Sequence, residues 1–293
     1  NHVFMRKFFI TDLHGCYEGL VQCLDRCGFD KEKDMLISGG DICDGYSDVC
    51  EIVDLFLSIK NTVFITGNHD QWFIEWLEGG VHPDRWKSGG EGTLKSYVRR
   101  TMKEFGQIQH LGYDENGKSW GFSTNLFPEK ITKELKSHAD FFLKKQRRYY
   151  IDDDGNLFIH GGFNRHFNLE DQNSYTFMWD RDLWNSALSY QELMNQGDDG
   201  YEFKIHQKFK DIFIGHTTTM MYALDEVKTE SGLIIPGKSP IVEPMRAFNI
   251  WNCDTGAGFD GKATIMNVDT KEYFQSDWIK DLYPFEQGRR KNK

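Results

Sequence analysis

Five short apolar runs, at 7–11, 35–38, 62–66, 157–159 and 212–214, are bounded by glycine or polar residues and are too short for helices, so they predict buried strands. Between the first three the period changes. Leu20, Val21, Leu24 and Cys27 recur at three and four residues across 17–27, as do Val49, Ile52, Val53, Phe56 and Leu57 across 48–59, which predicts amphipathic helices. Strand, helix, strand, helix, strand over 7–66 points to an α/β fold. Two longer stretches interrupt the alternation. The first, about 71–150, is rich in tryptophan, charge and glycine and holds a predicted helix near 92–105. The second, 163–209, is polar and aromatic by turns and contains the loop Gly197-Asp198-Asp199-Gly200. The first is expected as helices and loops over the sheet, and both are expected to roof the site. Near the end, 263–268 and 272–275 flank Asp269-Thr270-Lys271 as a hairpin closing a sheet edge. The final stretch, 288–293, is a basic tail expected to be frayed and solvated.

Length and composition narrow this picture. A chain of 293 residues with 23 Phe and eight Trp has ample apolar area for a core and is read as one domain over 1–293. The net charge of −10 opposes attraction to nucleic-acid phosphate or anionic lipid, so neither partner is expected. The six cysteines show no CxxC pair and are expected to be reduced thiols packed as small hydrophobes. With no 18-residue apolar run and no apolar signal core, the chain is expected in the cytoplasm.

Each of the five predicted strands runs into side chains that ligate metals: Asp12-Leu13-His14-Gly15, Gly40-Asp41, Gly67-Asn68-His69-Asp70, His160-Gly161-Gly162 and Gly215-His216-Thr217. Singly, each has a plainer reading: an Asp after a strand caps a helix, and His-Gly-Gly or Gly-Asn-His-Asp makes a turn. Five in one chain, each at a strand end where α/β sheets gather their ligands, point to a metal site. In Asp12-x-His14 an extended backbone would turn both side chains to one side. The set Asp12, His14, Asp41, Asn68, His160 and His216 mixes imidazole with oxygen donors and suits paired Mn, Fe or Zn, with little use for three histidines in an all-oxygen Mg or Ca site. Two such ions hold a phosphoryl group and lower the pKa of a bridging water.

In this order the motifs resemble those of the calcineurin-like metallophosphoesterases, and specifically the bacterial and phage branch of the phosphoprotein phosphatases. DxHG, GDxxD, GNH, HGG and GH are met by Asp12 to Gly15, Gly40-Asp41-Ile42-Cys43-Asp44, Gly67 to His69, His160 to Gly162 and Gly215-His216. Trp86-Lys87-Ser88-Gly89-Gly90, Thr93-Leu94-Lys95-Ser96-Tyr97 and Asp254-Thr255-Gly256-Ala257 look like less universal motifs of that branch. The resemblance implies a β-sandwich of mixed sheets flanked by helices. It implies one divalent ion, Mn before Fe or Zn, on Asp12, His14 and Asp41, and a second on Asp41, Asn68, His160 and His216, so that Asp41 bridges. His69 would protonate the leaving oxygen as an imidazolium oriented by Asp44.

Phosphate oxygens also need cationic donors, and guanidinium forks suit them. Where phosphoprotein phosphatases read GDxxDRG, Gly45 follows Asp44 and the expected arginine is missing. Met178-Trp179-Asp180-Arg181 resembles the branch's Trp-x-Arg segment, making Arg181 the expected phosphate clamp beside Asn68, with Arg165 as a second candidate. The implied activity is phosphomonoester hydrolysis of the Ser/Thr protein phosphatase kind, on a phosphoprotein. The alternative is a nucleotide substrate, through dinucleoside polyphosphate hydrolysis of the diadenosine tetraphosphate type. A non-catalytic scaffold is disfavoured because every ligand is present. Gly232 to Ser239 spells a P-loop, but Pro240 and Pro244 block the helix that must follow. No cysteine has an arginine six residues on, so the nucleophile is expected to be water.

Overall fold

The structure is a computed structural model that describes residues 5–79, 89–102, 108–113, 115, 119–198, 200, 202–228 and 234–289. Its strands, in chain order, are β1 (Lys7–Ile10), β2 (Met35–Ser38), β3 (Asn61–Ile65), β4 (Ile108–Tyr113), β5 (Ser119–Thr124), β6 (Gln146–Arg147), β7 (Tyr149–Ile151) and β8 (Leu157–Ile159). They continue with β9 (Ile212–Ile214), β10 (Ala223–Lys228), β11 (Ile234–Pro240), β12 (Met245–Ala247), β13 (Ile250–Asn252), β14 (Thr264–Asn267) and β15 (Tyr273–Gln275). Two mixed sheets result, in the orders β15-β14-β1-β2-β3-β6 and β12-β13-β9-β8-β7. β1, β2, β3 and β6 run parallel, as do β13, β9 and β8, so their carboxyl ends lie together.

The two sheets stack face to face, and their side-chain alternation shows it. Phe9, Ile37, Val63 and Ile65 meet Phe158 and Phe213 between the sheets, with Phe158 and Phe213 stacked at 5.0 Å. Their neighbours Phe8, Ile10, Leu36 and Phe64 point the other way, into α1 (Tyr17–Arg26), α2 (Val49–Leu57), α3 (Asn68–Gly79) and α4 (Gly90–Thr101). The second sheet turns Leu157, Ile159, Ile212 and Ile214 outward onto Leu183, Trp184 and Ala187 of the helix Asp182–Asn195. Burying one such Phe or Leu contributes about 1.5–3 kcal/mol, which is why a period of two in runs of three or four residues suffices to fix each strand's facing. The expected sandwich of mixed sheets flanked by helices is the observed architecture.

Several expectations need correction. The stretch 71–150 is not helices and loops alone: β4 and β5 pair within it, and its end supplies β6 to one sheet and β7 to the other. The stretch 163–209 holds a 14-residue helix, Asp182–Asn195. The helix expected near 92–105 is α4, and Phe105 lies outside the described residues, as do Trp86, Lys87, Ser88, Asp199, Gly232 and Leu233. β11 covers Ile234 to Pro240, so the P-loop spelling lies on a strand, in keeping with its rejection. β14 and β15 form the expected edge hairpin. All six cysteines are buried and unpaired. Among the described residues, no helix is long and apolar enough to cross a membrane. The basic tail is not simply frayed: Arg289 folds back onto the loop after β2, while 290–293 lie outside the described residues.

Candidate active site

The loops leaving β1, β2, β3, β8 and β9 are laced together by backbone and carboxylate hydrogen bonds. Asp12 N donates to Gly40 O at 2.9 Å, His14 N to Asp41 O at 2.9 Å and Gly15 N to Ile42 O at 2.8 Å. A Cβ on Gly67 would come within 2.0 Å of Asp41 Oδ1, and one on Gly215 within 1.9 Å of Asp12 Oδ2. Only glycine lets these backbones close on the carboxylates. Asp12, His14, Asp41, Asp44 and His216 adopt φ between 47° and 68°, five of the seven positive-φ non-glycine residues among those described. Backbone strain of this kind gathers where a site over-determines its own geometry. It also corrects the expected extended Asp12-x-His14 segment, since both residues are left-handed.

The side chains converge in two overlapping groups, Asp12–His14–Asp41 and Asp41–His160–His216, each with its donor atoms within 4.8 Å of one another. Asp41 belongs to both. Its Oδ2 lies 3.7 Å from His14 Nε2 and 3.2 Å from His160 Nε2, and Asp12 Oδ1 lies 3.8 Å from His14 Nε2. His14 Nδ1 donates to Cys43 O and Asp44 O, both at 2.8 Å, and His160 Nδ1 donates to Gly39 O at 2.8 Å. Both rings are thereby held with Nε2 facing the carboxylates, the arrangement that metal-ligating histidines take. Asn68 Oδ1 approaches His160 Nε2 at 3.2 Å, and His216 Nε2 is a buried nitrogen without a partner among the described residues. Carboxylate and imidazole donors crowded at this spacing fit divalent cations, and the charge balance agrees. Burial opposes a charge on His160, yet Asp41 and Asp12 raise it to about 10, so an imidazolium supplies the cation that the carboxylates require. Burial, then the charge on His160, lowers His216 to about 3, leaving its lone pair free. Burial disfavours the Asp41 anion, but His160 and His69 hold it well below the usual carboxylate range.

Beside this set, His69 Nδ1 meets Asp44 Oδ2 at 2.8 Å, and Thr93 Oγ1 donates to Asp44 Oδ1 at 2.7 Å while accepting from Asp44 N at 2.8 Å. Asp44 therefore fixes the His69 ring. The imidazolium form is not what the surroundings favour: burial first, and the Arg289 charge next, push His69 well below its ordinary value. Arg181 Nη1 donates to His216 O at 3.0 Å and Thr217 Oγ1 at 2.9 Å, which places it on the loop carrying His216. Arg165 is not brought there. Its Nη1 is taken by Lys204 O at 2.8 Å and its guanidinium lies over the Phe203 and Tyr190 rings, at 5.0 and 5.6 Å.

Two carboxylates quoted within the sequence motifs were given no role of their own there. Asp70 is buried and accepts from the backbone N–H groups of Asp41, Ile42, Cys43 and Gly67 at 2.8, 3.0, 3.2 and 3.0 Å, so it shapes the loop that carries Asp41. Asp254 is also buried, and burial followed by the charge of Asp12 holds it well above the usual range. A third residue, Arg289, places Nη1 3.1 Å from His14 Nε2.

Comparison with known proteins agrees with this geometry. The profile of the calcineurin-like phosphoesterases matches residues 5–220. The symmetrical bis(5'-nucleosyl)-tetraphosphatase of Dechloromonas aromatica (strain RCB) is 32% identical over 285 residues, covering 93% of this chain and 96% of that protein. The protein of the same name from Buchnera aphidicola subsp. Acyrthosiphon pisum (strain Tuc7) is 39% identical over 67 residues, a match that spans 24% of that relative's length. A crystal structure described as a candidate diadenosine tetraphosphatase shares the fold, with a TM-score of 0.53 at 11% identity over 94% of this chain and 96% of that one. This chain belongs to the calcineurin-like phosphoesterases, hydrolases of phosphoester bonds that work with divalent metal ions.

Proposed function

We propose that the chain hydrolyses a dinucleoside polyphosphate of the diadenosine tetraphosphate type, using two divalent ions. One would be held by Asp12, His14 and Asp41, the other by Asp41, Asn68, His160 and His216. The observation that carries the hydrolase reading is the sharing of Asp41 between two compact donor groups. Two ions so placed, with Mn favoured over Fe or Zn, would hold phosphate oxygens and lower the pKa of an attacking water. The protein's own part is orientation. His69, its ring fixed through Nδ1 by Asp44 and that carboxylate fixed by Thr93, would act as the acid toward the leaving oxygen in its imidazolium form, which the negative charge of a bound phosphate would favour against the burial that lowers it. Arg181 adds a guanidinium beside His216.

Two features support a nucleotide over a phosphoprotein. The Dechloromonas relative bears that activity in its name and aligns over 93% of this chain. An aromatic ladder also leads outward from the metal set: Trp179 lies edge-on to His216 at 5.9 Å, and half-exposed Tyr175 stacks on Trp179 at 5.9 Å. Base stacking on such a surface is worth about 1–3 kcal/mol per base. The second reading, a Ser/Thr protein phosphatase, rests on the order of motifs from Asp12 to His216 and on the Thr93–Asp44–His69 chain. Chain reconstituted with Mn should cleave diadenosine tetraphosphate to two ADP faster than it dephosphorylates a phosphothreonine peptide. The reverse order would favour the second reading, and inactivity on both and on p-nitrophenyl phosphate with two ions bound would sink the hydrolase assignment.

A further inference from the structure

Gly45 stands where the phosphoprotein phosphatase motif carries its arginine, and the backbone there leaves no room for one. Its φ is +141°, and a Cβ would come within 2.7 Å of His14 O. The space beside Gly45 is filled from the far end of the chain. The Arg289 side chain runs past Gly45, Gly89 and Gly258: Cβ atoms built on the first two would lie 3.5 and 3.2 Å from its Cγ, and one on Gly258 would lie 3.3 Å from its Cδ. Three side-chain-less positions thus form a channel for one arginine stem. The guanidinium lies over the Phe259 ring at 4.9 Å, with Nη1 at His14 Nε2.

The segment that delivers it is anchored. Arg289 N donates to Gly258 O at 2.8 Å, Tyr46 Oη donates to Phe259 O at 2.6 Å, and Ser47 donates from N and Oγ to Glu286 at 3.0 and 2.9 Å. These bonds tie the carboxyl-terminal segment to the loop that follows Asp44. Arg289 Nε is buried and has no hydrogen-bond acceptor among the described residues. Nη1 meets the Nε2 lone pair of His14, which belongs to the candidate metal-ligating set. A part-buried guanidinium with such poorly matched donors, at the edge of a cluster of candidate metal ligands, suits an anion that carries several oxygens.

We propose that Arg289 binds the substrate's phosphate, in the place of the arginine that Gly45 excludes. This deepens the proposed function and rests on it. The Nε–Nη2 edge of the guanidinium can offer a fork to two oxygens of one phosphate while Nη1 faces His14, and the anchoring of 286–289 keeps that group beside His14 and Gly45.

The test uses the 293-residue chain loaded with Mn and measures inorganic phosphate binding by calorimetry, a readout that needs no turnover. Arg289→Met keeps the stem over Phe259 and removes the charge and fork. It should leave Mn stoichiometry and Tm close to the parent, weaken phosphate by about ten- to a hundred-fold, the range for a charged hydrogen bond, and lower kcat/KM to match. Arg289→Lys should recover part of the loss, because it restores charge without the fork. Phosphate affinity within twofold of the parent in Arg289→Met overturns the proposal. So does tighter Mn binding with faster turnover, which would make Arg289 a competitor for His14. A parent that binds phosphate through Arg289 yet cleaves no phosphoester would refute the proposed function and leave this site standing.

Discussion

Asp70 is the residue whose loss should be felt most widely, although it belongs to neither donor group. Its two oxygens accept four buried backbone N–H groups, from Asp41, Ile42, Cys43 and Gly67. Burial, and the charge of Asp41 after it, raise its carboxyl to about 6, so the charge is a burden to the fold and the oxygens are what the fold uses. Each buried donor left without an acceptor costs about 1–3 kcal/mol, so Asp70→Ala should lose about 4–8 kcal/mol after partial rescue by water. Against a typical total of about 5–15 kcal/mol, that variant should be marginally folded without metal. Asp70→Asn keeps the shape but turns an NH₂ toward one pair of N–H donors, and should cost about 2–5 kcal/mol. Urea unfolding followed by tryptophan fluorescence, on metal-free and Mn-loaded chains, measures both. Mn affinity should fall in parallel, because Asp41 holds its φ of 55° only while its loop is pinned. An Asp70→Ala chain within 1 kcal/mol of the parent, with unchanged Mn binding, would show that the four bonds are replaceable and refute the reasoning (a threshold of about the worth of one hydrogen bond).

Asp41→Asn removes the carboxylate common to both donor groups, and elemental analysis should find at most one ion per chain; full occupancy with parental turnover contradicts a bridging Asp41. Arg181→Ala should raise KM and lower kcat, together reducing kcat/KM by about ten- to a hundred-fold, and unchanged kinetics would remove Arg181 from the site. Away from the site, Lys7 Nζ bonds Asp152 Oδ2 at 2.5 Å, and Asn156 donates to both Asp152 oxygens at 2.9 and 3.0 Å. Burial opposes ionisation of Asp152, but Asn156 and Lys7 hold its carboxyl below the ordinary range. A depressed acid stabilises the fold above its unfolded pKa of about 3.9 and loses that contribution as pH falls further, so Asp152→Asn should flatten the acid limb of stability below about pH 4. A limb as steep as the parent's would show that other carboxylates drive acid unfolding.

How much of this was legible depended on whether a residue's meaning is local. The candidate ligands were readable because glycines that permit a close backbone approach stand beside them in sequence, as in Gly40-Asp41, Gly67-Asn68 and Gly215-His216. β6 was not readable, since two residues carry no period, and Asp182–Asn195 was missed although Leu183, Trp184 and Ala187 hold a helical spacing, because polar residues around them suggested loop. Asp70 was in view as the last letter of Gly67-Asn68-His69-Asp70 but was given no role of its own, because its partners lie 27 to 29 residues back at Asp41, Ile42 and Cys43.

Arg289 carries that limit furthest. A motif assigns an arginine to the position after Asp44, and by position the chain lacks one. The chemistry asks only for a guanidinium at a place in space, and a side chain 275 residues from His14 reaches that place because Gly45, Gly89 and Gly258 leave its stem a path. A basic tail reads as solvated wherever its neighbours in sequence are all that is considered. The consequence reaches substrate choice. A phosphate-binding arginine built into the motif is fixed by the strand before it, whereas Arg289 is fixed by Glu286 on Ser47 and by Gly258, contacts between segments distant in sequence. Such contacts open more readily than a sheet, so the affinity for phosphate is coupled to the docking of the carboxyl-terminal segment.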